Sequence, residues 1–90
     1  MSSDMDYIIL PHRICRKDEN GRVLAEISFP EHRPGEYCIE DVYVDADLPD
    51  FAETGMELVK LALNVIDEHG GSVKASDPFG IHALEELGRK

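Results

Sequence analysis

The tetrapeptide Asp18-Glu19-Asn20-Gly21 constrains this chain more than any other stretch. Asn-Gly is the preferred pair for a tight hairpin turn, because both residues tolerate positive φ. The run behind it, Arg22 to Phe29, alternates strictly. Val23, Ala25, Ile27 and Phe29 point one way, and Leu24, Glu26 and Ser28 the other. A period of two is the signature of a half-buried strand, here folded back antiparallel on the residues before the turn. The N-terminal half is thereby committed to an antiparallel sheet.

The preceding apolar run is Tyr7-Ile8-Ile9-Leu10, which Pro11 interrupts. A strand holding a proline is an edge strand or two short pieces, with Arg13 to Lys17 resuming it. Residues 1–6 are polar and read as a disordered terminus. Pro30-Glu31-His32-Arg33-Pro34-Gly35 reads as a loop. Tyr37 to Val44 is β-rich, with Cys38, Val42 and Val44 on one face and Tyr37, Ile39 and Tyr43 on the other. Apolar residues on both faces predict a central strand.

Asp45 to Pro49 connects this strand to a helix. Asp50 is the expected N-cap, with Glu53 three residues on as in a capping box. Phe51, Gly55, Leu58, Val59, Ala62, Val65 and Ile66 form the expected buried stripe, and Gly70 follows the last turn. Gly71 to Ala75 is a short strand. Asp77-Pro78 reads as N-cap and first residue of a short final helix carrying Ile81, Ala83, Leu84 and Leu87. The element order is β-β-β-α-β-α. The fold class is α+β, a mostly antiparallel sheet with one long helix packed on it and a short C-terminal helix. Residues 1–90 suffice for one domain.

Nine basic side chains face nineteen acidic ones, a formal net charge of −10. Such a field repels polyanions, so neither nucleic acid nor an anionic membrane is an expected partner; a cationic small molecule or a basic protein segment is. Between Arg33 and Lys60 there is no Lys or Arg, only acids. That stretch is either a solvated face or an acidic rim for a cation. No run approaches a membrane span, and Met1 to Asp6 lacks the features of a signal peptide, so the expected location is cytoplasmic. Cys15 and Cys38 are expected reduced and buried, Cys15 the more reactive beside Arg16 and Lys17. His12, His32, His69 and His82 show no metal-ligand spacing, and no metal is expected.

Three stretches, in this order, carry a family resemblance: the hairpin Lys17 to Ile27, the strand Ile39-Glu40-Asp41-Val42-Tyr43-Val44, and the long helix with its short strand and Asp77-Pro78-Phe79. The chain from about Arg13 to Leu87 resembles the small members of the GNAT superfamily of acyl-CoA-dependent N-acetyltransferases. The resemblance implies acetyl-CoA as cofactor, with its pyrophosphate on backbone N–H groups where the central strand hands over to the long helix. Val44, Thr54, Gly55 and Phe79 would then lie along the cofactor. The family's loop usually reads Arg/Gln-x-x-Gly-x-Gly/Ala, whereas Leu48 to Met56 here lacks the basic residue and keeps only Gly55.

In small relatives a His in the central strand and a Cys before the last helix occupy positions that match Asp41 and Asp77. Asp41 would serve as general base, or is a surface carboxylate; Asp77 is more simply a helix cap. Tyr43 would donate a proton to the leaving thiolate, or is core. Two functions follow: a diverged N-acetyltransferase that passes an acetyl group from acetyl-CoA to an amine, or a non-catalytic GNAT-like module that binds partners through its acidic surface.

Overall fold

A computed structural model describes residues 7–88; the expected disorder of residues 1–6 lies outside them. The elements are β1 (Tyr7–Leu10), β2 (Arg13–Lys17), β3 (Val23–Ser28), β4 (Glu31–Arg33), β5 (Glu36–Ile39), β6 (Asp41–Val44), α1 (Phe51–Glu68), β7 (Ser72–Ala75) and α2 (Pro78–Glu86). The α+β class and the long helix are as the periodicity predicts. The strands are more numerous and are joined differently.

Pro11 does not merely interrupt a strand. The chain reverses at Pro11-His12, and β2 pairs antiparallel with β1, Leu10 opposite Arg13 and Tyr7 opposite Arg16. Proline supplies the turn and costs no ladder bond there, because β1 is the outer strand of the sheet order β1-β2-β3-β6. Asn20-Gly21 makes the next reversal, but only Gly21 takes a positive φ, 85°, so the expected turn with both residues left-handed is corrected; the Asp18 carboxylate instead accepts the N–H groups of Asn20 and Arg22 at 2.8 and 2.9 Å.

The expected loop 30–35 contains β4. Pro30 cannot donate, but its carbonyl accepts the Cys38 N–H at 3.0 Å, so pairing continues through it. β5 then pairs antiparallel with β4 on one side and parallel with β7 on the other.

The expected strand 37–44 is broken at Glu40, and this changes its faces. Tyr37 and Ile39 lie in the core, 5% and 0% exposed. Beyond Glu40 the inward residues are Val42 and Val44, while Tyr43 is 46% exposed. One residue is spent at the break, so the inward set passes from odd to even positions, as a bulge requires. Both predicted faces, Tyr37 with Ile39 and Tyr43, and Cys38 with Val42 and Val44, are corrected accordingly.

α1 packs across β2, β3, β6 and β7. Its buried residues are Thr54, Gly55, Leu58, Val59, Ala62, Leu63 and Ile66. Phe51, assigned to the stripe by periodicity, is 52% exposed, and Leu63, left out of it, is 5% exposed. α1 also seats α2. The Phe79 ring rests on Gly55, where an added Cβ would stand 2.7 Å from Phe79 Cζ. Asp50 stands at the N-cap of α1, but its side chain makes no capping hydrogen bond, so the expected capping box is absent. At α2 the expectation holds: Pro78 is the first helical residue and the Asp77 carboxylate accepts the Gly80 N–H. Both cysteines are free and buried.

The rotated stripe has a measurable consequence. Leu63→Ala should destabilise the fold by ~2–5 kcal/mol, as large-to-small changes in a packed core do. Phe51→Ala should stay within about 0.5 kcal/mol. Urea denaturation of the two variants checks the order, and the reverse order would restore the stripe read from periodicity.

Candidate functional site

The site is built around the parting of two neighbours. β5 and β7 run side by side through Ile39 opposite Ala75. Past that point the N–H groups of Ser76 and Asp77 both turn to the Ile39 carbonyl, at 3.0 and 3.4 Å, and the chain enters α2. Among the described residues β6 therefore has β3 on one side and no strand on the other. The Asp45 N–H donates to the Leu24 carbonyl at 2.8 Å. Antiparallel ladders alternate, so the backbone groups of Val42 and Val44 face away from β3, into the gap before α2. Asp77 spans this gap at one point. Its Oδ2 accepts the Val42 N–H at 3.3 Å while its Oδ1 caps Gly80 at 3.0 Å.

Beyond Val44 the connection is held by Asp45, which is 7% exposed. Its carboxylate pairs with Arg22 Nη2 at 2.5 Å and accepts the Asp47 N–H at 2.9 Å. The Leu48 N–H donates to the Asp45 carbonyl at 3.1 Å. These loop donors are thus already engaged. At the start of α1 the position differs. The first intrahelical bond is Thr54 N–H to the Asp50 carbonyl, 2.9 Å. The N–H groups of Phe51, Ala52 and Glu53 precede it, have no intrahelical acceptor, and receive no cap from Asp50.

A cleft of about 110 Å³ opens at this helix end, lined by Tyr7, Arg16, Asp50, Glu53, Thr54 and Glu57. Arg16 brings to this helix end a basic group, which the Leu48 to Met56 stretch does not contain, from β2 through the pairing of Arg16 with Tyr7. Sequence reasoning missed it because it sought the cation inside the loop. The Tyr7 phenol is pushed above its ordinary range, first by burial, then by the charges of Glu57 and Asp50, with Arg16 opposing.

Of the residues singled out from the sequence, Thr54 lines this cleft, and Val44 turns its backbone to the gap. Gly55 lies within α1 and Phe79 within α2, each against the other. Asp41 and Tyr43 alternate onto the exposed face of β6, opposite the face that packs on α1. Away from these, His32, Cys38 and Glu40 bring one ligand atom each to within 4.8 Å of one another. Histidine spacing gave no hint of this, because the three meet through strand register.

No family model matches the sequence, and no curated protein matches it. Solved structures do. A GCN5-like, proposed N-acetyltransferase from Staphylococcus aureus superposes with a TM-score of 0.74 at 23% identity, covering 96% of this chain and 83% of that one. Nourseothricin acetyltransferase gives 0.63 at 16% identity, covering 97% of this chain and 52% of that one. A proposed acetyltransferase from Deinococcus radiodurans R1 gives 0.63 at 22%, covering 87% and 54%. The fold is that of the GNAT-type N-acetyltransferases, and this chain spans about half the length of the larger of them. Among the described residues no helix is long and apolar enough to cross a membrane.

Two outcomes test the site's construction. Asp77→Ala removes the α2 cap and the tie to Val42, and should cost about 1–2 kcal/mol; urea denaturation measures it. A phenol whose folded pKa is raised binds its proton more tightly in the folded state. Its contribution is whole below the unfolded pKa of about 10 and is lost as pH climbs from there through the folded value. Tyr7→Phe should therefore flatten the fall of stability above pH ~10, read from melting temperatures across that range.

Proposed function

We propose that the chain binds acetyl-CoA in the gap between β6 and α2 and transfers the acetyl group to an amine. The observation that carries this reading is the coincidence, at one end of the central strand, of a strand side that no described strand pairs and a helix start that Asp50 does not cap. An extended amide-bearing chain laid beside β6 would find the backbone groups of Val44 facing it, as a further strand would, whereas the Val42 N–H is already held by Asp77. A diphosphate at its end would meet the N–H groups of Phe51 to Glu53 and the positive end of the α1 dipole, with Arg16 nearby.

The transfer itself needs little from the protein. The amine nitrogen attacks the thioester carbonyl, its surplus proton goes to a base, and the leaving thiolate takes a proton from an acid. Asp41 is assigned the first task and Tyr43 the second, both on one face of β6. The acidic residues of the region favour a cationic amine on encounter.

The same acids oppose the cofactor. Asp50, Glu53 and Glu57 line the cleft that holds Arg16, and Asp45 already satisfies part of the loop. These support the second reading, a GNAT-like interaction module whose acidic surface takes a basic protein segment.

Thermal unfolding with and without millimolar acetyl-CoA separates the two. Ligand at ~100 times its Kd stabilises by ~2.7 kcal/mol, a rise in Tm of roughly 10 °C or more for a chain this size. Asp41→Asn should keep that shift and lose acetylation of a primary amine by ~100-fold or more. Absence of any shift would replace the transferase reading with the interaction module.

A further inference from the structure

The His32, Cys38 and Glu40 cluster lies outside the cleft and gap assigned above, and the fold builds it deliberately. His32 belongs to β4, where the pairing with β5 slips between Glu31 and Arg33. Such an irregularity re-aims a side chain, and here His32 is carried towards Glu40. Cys38 alternates in β5 onto one face of the strand, and Glu40, just beyond Ile39 at the break, brings its carboxylate to the same place. That face is opposite the one on which Tyr37 and Ile39 enter the core. Glu40 is the residue at which the strand breaks between β5 and β6.

The donor atoms converge on a point. His32 Nε2 stands 2.5 Å from Glu40 Oε2, and the Cys38 sulfur lies within 4.8 Å of both ligand atoms. Cys38 is 3% exposed and forms the floor, with its sulfur 3.8 Å from Ser76 Oγ. His32 and Glu40, 42% and 44% exposed, form the rim. A relay for nucleophilic catalysis would set the carboxylate on one ring nitrogen and the thiol on the other. Here the carboxylate sits on Nε2 itself, with the sulfur close to the same two groups.

We propose that His32, Cys38 and Glu40 form a transition-metal site, Zn²⁺ in the first instance, with water or a fourth group completing a tetrahedron. Thiolate, imidazole and carboxylate together select zinc-like ions over calcium or magnesium, which take oxygen ligands. The charges close: one thiolate, one carboxylate and a neutral imidazole balance a dication. On binding, the Cys38 S–H bond breaks, the proton leaves to solvent, and a sulfur–metal bond forms. Ligand atoms around one zinc stand roughly 3–3.7 Å apart, given bonds of ~2.0–2.3 Å. The His32–Glu40 pair must therefore open by under ~1 Å and the sulfur approach by about as much, within reach of side-chain rotation. The net charge of −10 draws a cation to the surface. One group competes: Lys74 is the register partner of Cys38 and emerges on the same face, exposed to solvent.

The site does not depend on acetyl-CoA, so its test leaves the transferase reading untouched. The full chain, kept reduced, is titrated with Co²⁺ and then Zn²⁺. A thiolate-to-cobalt charge-transfer band should rise to one equivalent and vanish as zinc displaces cobalt. Cys38→Ser should abolish the band, and Cys15→Ser should leave it unchanged. His32→Ala and Glu40→Gln, both at exposed positions, should each weaken metal affinity on the order of 100-fold while far-ultraviolet circular dichroism stays native. These two variants carry the test if Cys38→Ser does not fold. Cobalt binding without the band, a band that survives Cys38→Ser, or unchanged affinity in His32→Ala would overturn the site and mark the uptake as scattered surface carboxylates.

Discussion

The break of the central strand at Glu40 is the constraint on which the rest of this molecule depends. Before it, Tyr37 and Ile39 face the core; after it, Val42 and Val44 do. The two halves also keep different neighbours. β5 has β4 and β7, and β6 has β3 alone. Ile39 sits at the hinge of this arrangement, 0% exposed, and an added Cβ at Gly80 would meet its Cγ2 at 2.9 Å. The same interruption thus divides the sheet, leaves one side of β6 without a strand, and lets α2 begin tight against the core.

Electrostatics decides how that opening is used. The chain after β6 carries Asp45, Asp47 and Asp50 in close succession. One of them, Asp45, is turned inward and neutralised by Arg22; at 7% exposure a partner of opposite charge is what makes its burial tolerable. The others stay near the α1 start, where an acid is favourable to the helix dipole and unfavourable to an arriving anion. Arg16 offsets part of this from across the sheet. Helix N–H groups and a basic side chain meet acidic side chains at one helix end, and the local field there is set by charges on three different elements.

Local chemistry was legible in the sequence, and register was not. Asn20-Gly21 announced its turn, Asp77-Pro78 its helix start, and the alternation of Val23 to Phe29 its buried face, because each is a property of adjacent residues. The split of strand 37–44 was not, since apolar residues on both faces fit a continuous central strand equally well. The exchange of Phe51 for Leu63 in the buried stripe of α1 depends on how the helix packs across elements distant in the chain. The site divides the same way. Thr54 and Val44 were expected at the site only through the family resemblance, whereas Arg16 at the helix end and His32 beside Cys38 depend on which strands lie side by side.

The broken strand also governs how such a chain can vary in length over evolutionary time. Losing or gaining one residue between Cys38 and Val42 would turn half of the core outward, so this interval does not tolerate insertion or deletion. The hairpin tip around Gly21, with open space about it, carries no such parity and can absorb extra residues freely. Distant kin of this chain should therefore align without gaps across Glu40, even where every side chain on either side has been replaced.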